Sequence, residues 1–212
     1  MSDQPANTQL LAAAFALAAD LHRNQTRKGT ATPYLSHLLA VSALVLEDGA
    51  SHTVAAAALL HDAAEDQGGH RTLELIAQQC GPEVAALVEE CSDSLPDAGQ
   101  PKAPWRLRKL AVLESLPRKS RGALLIIAAD KLHNVRATRI DLATTGPEVW
   151  DRFKPGRDGF LWYHRALLPP LEDLLPQSRS VAQMRRELEE LVQALDDEHP
   201  PSATHESEAE DW

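Results

Sequence analysis

The stretch Ala55-Ala-Ala-Ala-Leu-Leu-His-Asp-Ala-Ala-Glu-Asp66 constrains this chain more than any other. It opens as an apolar helix with no polar face, which only a position inside a bundle accommodates. It closes with an imidazole and three carboxylates within six residues, His61, Asp62, Glu65 and Asp66. On a helix, residues four apart share a face, so His61 stacks with Glu65 and Asp62 with Asp66. His61 and Asp62 stand about 100° apart around the axis, and both can reach one ion off the helix shoulder. A lone His-Asp pair is common. Acidic groups at a helix C-terminus are less so, because they oppose the dipole at roughly 0.3–1 kcal/mol each, and accepting that cost points to a nearby cation.

A second apolar run ends the same way: Leu124-Leu-Ile-Ile-Ala-Ala-Asp-Lys-Leu-His-Asn134. Asp130 and Asn134 share a face, and a carboxylate behind Ile-Ile-Ala-Ala is costly unless paired or bound to metal. Asp130 is therefore a ligand candidate on local grounds. Lys131 and His133 are expected on the surface of this helix. His37, in the first turn of an earlier helix, reads locally as structural.

The rest of the pattern is helical. Helices are expected from Thr8 to about Asn24, Tyr34 to Asp48, Ser51 or His52 to Gly68, Thr72 to Cys80 and Pro82 to Ser92. Others follow from Trp105 to Leu116, from a Ser120 cap onward, over Pro147–Phe153, from Phe160 to Leu175 across Pro169-Pro170, and from Ser180 to Leu195. A Pro/Asp/Gly-rich loop is expected from Asp93 to Pro104. Arg27 and Lys28 lie in a loop marked by Gly29 and Pro33, and Arg106, Arg108 and Lys109 on a helix face; both sets read locally as solvated. Residues 1–7 form a polar lead-in, 8–195 one domain, and 196–212 an acidic, disordered tail. With an aromatic share of only 4%, Ala, Leu and Val must build the core.

The net charge of −10 argues against a nucleic-acid surface, and no apolar run reaches the ~20 residues of a membrane span. Cys80 and Cys91 form no CxxC pair, and no signal peptide is apparent, so a cytoplasmic protein with reduced thiols is expected.

Taken together, His37, His61-Asp62 and Asp130 resemble the HD-domain metal phosphohydrolases. More narrowly, the chain resembles the hydrolase domain of the bifunctional alarmone synthetase/hydrolases and the stand-alone small alarmone hydrolases. The resemblance rests on Arg27-Lys-Gly with Pro33-Tyr-Leu-Ser-His37, on Leu59-Leu-His-Asp-Ala-Ala-Glu-Asp66 and on Ala129-Asp-Lys-Leu-His-Asn134. It covers roughly residues 8–175. Gln67 and Leu38 depart from the usual Thr and Pro, the loop at 93–104 matches least, and no Gly-Tyr-Pro motif is present.

The resemblance implies an all-α bundle, an HD domain with its metal site in the core. His37, His61, Asp62 and Asp130 would hold Mn²⁺, and Glu65 and Asp66 would orient and deprotonate water. The reaction implied is removal of the 3′-pyrophosphate from a guanosine or adenosine alarmone of the stringent response, (p)ppGpp or (p)ppApp, giving the 5′-nucleotide and pyrophosphate. Arg27, Lys28 and Asn134 would bind the nucleotide, with Lys102, Arg157 and Tyr163 at the phosphate end and pocket wall. A related hydrolase acting on the 2′-phosphate of NADPH, or a nucleotide-binding regulator without catalysis, are the other readings. The sequence leaves open guanine against adenine and the oligomeric state.

Overall fold

The computed structural model describes residues 8–93, 95 and 103–198. Its helices are α1 (Thr8–Leu21), α2 (Leu35–Glu47), α3 (His52–Leu60), α4 (Ala63–Gln67), α5 (His70–Cys80), α6 (Pro82–Cys91), α7 (Trp105–Ser115), α8 (Arg121–Thr145), α9 (Gly156–Leu174) and α10 (Arg179–Glu198). Two 3₁₀ turns, Leu116–Arg118 and Pro147–Arg152, link the later ones. Among the described residues the only β pairing is an isolated bridge between Thr26 and Pro33.

The two apolar runs become the axis of the bundle. Ser51 caps α3 by accepting a hydrogen bond from the Val54 amide, and every residue from Ala55 to Leu60 is buried. Helix α3 packs against α1, α2, α6 and α8, which leaves no side for polar residues. Its alanines let those neighbours approach closely. Ser120 caps α8 in the same manner, and residues 123–130 are buried without interruption. Farther along α8, Val135 and Leu142 join Trp150, Phe160, Leu188 and Leu191 in a second core. There Arg136 and Arg139 tie α8 to α10 through Glu187, at 2.9 and 2.7 Å.

The helix carrying the central motif is not continuous. Helix α3 stops at Leu60, His61 and Asp62 form a turn, and the chain restarts as α4. Asp62 stands at the N-terminal boundary of α4 but does not cap it. Its carboxylate is committed to Tyr34 and His61 instead. Glu65 and Asp66 consequently lie in the first turn of a five-residue helix, so the expected dipole penalty does not arise.

Other boundaries also shift. Helix α5 begins at His70 behind Gly69, with Thr72 buried inside it. Helix α9 begins at Gly156 and runs through Pro169 and Pro170. Helix α10 continues to Glu198, so residues 196–198 of the expected tail are helical. The lead-in 1–7, the tail from 199 onward and Lys102 lie outside the described residues. Cys80 and Cys91 are free thiols. Among the described residues, no helix is long and apolar enough to cross a membrane.

Candidate active site

The two buried helices deliver their polar ends to one place, and α2 adds His37. Ligand atoms of His37, His61 and Asp62 lie within 4.8 Å of one another, a group that can hold a metal ion. His61 Nε2 is 3.0 Å from Asp62 Oδ2, and His37 Nε2 is 3.8 Å from the same oxygen. Asp130 joins from α8, with Oδ1 at 3.2 Å from His37 Nε2 and 3.9 Å from His61 Nε2.

The donor set fits a cation. Nε2 of both His37 and His61 is buried, and neither makes a hydrogen bond. Buried ring nitrogens without partners are costly unless something else satisfies them. The outer nitrogens are engaged: His61 Nδ1 donates to the Ala58 carbonyl at 2.8 Å, and His37 Nδ1 lies 2.9 Å from His133 Nδ1. Such contacts aim the Nε2 lone pairs inward, the usual arrangement of a metal-binding histidine.

The electrostatics agree. Burial alone would raise the Asp62 and Asp130 carboxyls, but His61 beside the first and Lys131 beside the second hold both well below the usual carboxylate range. Burial lowers His61 and the Asp62 carboxylate raises it, leaving it at about 9. In His37 the burial effect dominates and lowers its pKa.

Around this centre, Tyr34 donates its hydroxyl to Asp62 Oδ2. Asp130 accepts from Asn134 Nδ2 through Oδ1 and from Lys131 Nζ through Oδ2, both at 2.6 Å. Asn134 Oδ1 accepts from Arg27 Nη2 at 2.9 Å, so a hydrogen-bonded chain links the loop arginine to Asp130. The loop itself is held by Arg27 N–H to the Thr32 carbonyl and by Tyr34 N–H to the Gln25 carbonyl. Asp66 accepts from Gln25 Nε2 at 2.9 Å, and Glu65 Oε1 lies 3.7 Å from Arg108 Nη1.

A cleft of about 650 Å³ opens beside the centre. Its cationic lining is Arg27, Lys28, Arg108, Lys109, Lys131, Arg152 and Lys154, against Asp66 and Asp141. An acidic protein thus concentrates positive charge at one opening, which suits a polyanionic ligand.

The structure brings His37, His61, Asp62 and Asp130 together, and places Arg27, Lys28, Asp66, Asn134 and Tyr163 along the cleft. It does not bring Arg157 there. With α9 starting at Gly156, Arg157 falls in an exposed first turn and pairs with Asp158 at 3.0 Å. Arg152 and Lys154 line that end of the cleft instead.

Six residues escaped the sequence reading. Lys131 and His133, expected on the surface, contact Asp130 and His37. Arg108 and Lys109, read as a solvated face, are half-buried in the cleft wall. Tyr34 and Gln25 offered one signal, their place within the Arg27–His37 motif region.

Comparison with known proteins follows this geometry. The HD-domain family matches residues 14–161. The guanosine-3′,5′-bis(diphosphate) 3′-pyrophosphohydrolase of Homo sapiens is 38% identical over 149 residues, covering 69% of this chain and 76% of that protein. A probable GTP pyrophosphokinase of Mycobacterium leprae is 36% identical over 135 residues, which span 63% of this chain but only 16% of that longer protein. Among solved structures, a metazoan ortholog of SpoT that hydrolyzes ppGpp superimposes with a TM-score of 0.67 at 28% identity, covering 92% of this chain and 98% of its own. By sequence and by fold, the chain belongs to the HD-domain family.

Proposed function

We propose that this protein hydrolyses ppGpp to GDP and pyrophosphate, with Mn²⁺ held by His37, His61, Asp62 and Asp130. The observation that carries this reading is the convergence of two unpartnered, buried imidazole nitrogens and two carboxylates beside a cleft lined with cations. The names of the human and SpoT-related proteins support the substrate. The same reaction on the adenosine counterpart, ppApp, falls within the proposal, as does assignment of residues 8–195 to the hydrolase domain. The two free thiols accord with a reducing cytoplasm, where we place the activity.

In the overall reaction, water oxygen bonds to the 3′-phosphorus and the P–O3′ bond breaks. One proton leaves the water and one reaches O3′. Held by His37, His61, Asp62 and Asp130, a divalent ion would supply Lewis-acid polarisation of the phosphoryl oxygens and a lowered pKa for water. Glu65 and Asp66 orient that water and move its proton. Gln25 holds Asp66, and Arg108 lies beside Glu65. Arg27 and Lys28 bind the nucleotide from the loop, while Asn134 fixes Arg27 against the site.

The test is direct. Purified protein with Mn²⁺ is incubated with ppGpp and with ppApp, and the products are separated. Stoichiometric GDP and pyrophosphate are expected from ppGpp. Metal-loaded protein that releases no pyrophosphate, or only orthophosphate, overturns the reading.

A further inference from the structure

Arg108, Lys109 and Lys131 form a group that the reading above leaves without a task. Arg108 and Lys109 extend from α7 and share one carboxylate: Arg108 Nη1 lies 2.6 Å from Asp93 Oδ1, and Lys109 Nζ lies 2.7 Å from Asp93 Oδ2. The side chain of Asp93 is 5% exposed, and those of Arg108 and Lys109 are each 16% exposed. Lys131 arrives from α8. The ammonium groups of Lys109 and Lys131 lie over the same Tyr163 ring, 5.0 and 5.7 Å from its centroid.

Position gives this group its meaning. Lys109, Lys131 and Tyr163 line the large cleft. They also line a small cavity of about 40 Å³ shared with His61, Asp62 and Asp130. They are therefore the wall between the nucleotide cleft and the metal-ligating residues. Arg27 and Lys28 approach the cleft from a separate element, the loop before α2.

The placement of these cations points to an anion. Asp93 serves two cations, and Asp130, which serves Lys131, also faces the metal-ligating imidazoles. Two ammonium groups crowd one buried ring, and burial together with Lys131 lowers the Lys109 pKa. Like charges at such short range repel strongly where water is scarce. Glu65, Asp93 and Asp130 match the three cations in number, yet Arg108, Lys109 and Lys131 all line the cleft, where their remaining N–H donors suit phosphate oxygens.

We infer that Arg108, Lys109 and Lys131 form a pyrophosphate subsite, pinned by Asp93, that receives the leaving 3′-diphosphate. The inference rests on the proposed reaction for its choice of diphosphate, since the subsite borders the metal-ligating residues. Negative charge grows on the departing diphosphate as the P–O3′ bond breaks, and the three cations offset it there. Asp93 acts as a positioning residue.

Inorganic pyrophosphate is the probe. In the Mn²⁺-loaded wild-type protein it is expected to shield Lys109 from a lysine-acylating reagent, read by peptide mass spectrometry. Half-shielding should occur at the concentration that half-inhibits ppGpp turnover, and GDP should shield less. Lys109→Met should raise both the pyrophosphate inhibition constant and the KM for ppGpp about 10-fold or more, with manganese content unchanged. Lys109→Arg should restore part of each. Turnover of ppGpp without shielding of Lys109, or stronger shielding by GDP, overturns the subsite alone. Shielding by pyrophosphate in a protein that leaves ppGpp intact overturns the proposed reaction and keeps the subsite.

Discussion

Tyr34 donates its hydroxyl hydrogen to Oδ2 of Asp62, the same carboxylate oxygen that lies 3.0 Å from His61 Nε2. Burial and the neighbouring Asp62 charge both raise the Tyr34 pKa, which keeps the phenol a hydrogen donor toward that carboxylate. The contact fixes the rotation of a carboxylate, proposed above as a metal ligand, that stands at a chain turn rather than inside a helix. Tyr34→Phe removes one hydrogen bond and little volume. Manganese affinity is expected to fall about 10- to 100-fold, the usual effect of losing a partner of a metal ligand. Titration with Mn²⁺ followed by metal analysis reads this, and wild-type affinity in the variant overturns it.

Asp130 and the pair Glu65–Asp66 are assigned different work, and substitution separates them. Asp130→Ala removes a carboxylate oxygen 3.2 Å from His37 Nε2 and leaves Lys131 and Asn134 without their acceptor. Metal and turnover should be lost together. Glu65→Ala and Asp66→Ala should retain metal while turnover falls about 10²-fold or more, within the range of acid–base groups. Equal metal loss in both classes would contradict the division of roles.

His164 makes stability depend on pH. Its ring is buried, Nδ1 donates to the Phe160 carbonyl at 2.8 Å, and Nε2 has no hydrogen-bond partner. Burial outweighs that hydrogen bond and lowers the pKa to about 4. Between there and the unfolded value of about 6.5, the unfolded chain binds a proton that the folded chain refuses. This contribution is therefore complete above pH 6.5 and is lost as pH falls toward 4, to a total on the order of 3 kcal/mol. His164→Phe should flatten the response. Urea unfolding at pH 7.5 and 5 should show a smaller difference in the variant than in the wild type, and an unchanged difference removes His164 from the account.

The clustering of His37, His61, Asp62 and Asp130 was legible because each carboxylate follows an apolar run that cannot otherwise tolerate it. Asp62 follows Ala55–Leu60, and Asp130 follows Leu124–Ala129. His37 carried no such local signal and became meaningful only beside the other motifs. What the pattern could not show was the turn at His61–Asp62, because helical spacing carries no mark of a carboxylate drawn aside by a tyrosine 28 positions earlier. Arg108 and Lys109 were illegible for a related reason. Their partner Asp93 lies 15 positions before Arg108, and a basic helix face without its partner looks solvated. Lys131 and His133 were missed because their contacts, Asp130 and the α2 residue His37, turn the flank of α8 inward.

Gly29 offers a test of how the Arg27 loop is held. Its φ is +71°, and a Cβ built there would meet Arg152 at 2.6 Å from Cγ and 2.8 Å from Cδ. Arg152 cannot yield freely, because its guanidinium is bonded to Asp141. The loop therefore closes over an anchored arginine, and both Arg27 and Arg152 line the cleft as a result. Gly146 is the control: its φ is +78°, and a Cβ there meets nothing within 4 Å. Gly146→Ala should cost only its backbone penalty, on the order of 1–3 kcal/mol at a ψ of −163°, and leave KM unchanged. Gly29→Ala should cost more in urea unfolding and should also raise KM for ppGpp several-fold, because Arg152 and the Arg27 loop must part. Equal stability losses with unchanged KM in both variants would show that the loop does not depend on its contact with Arg152.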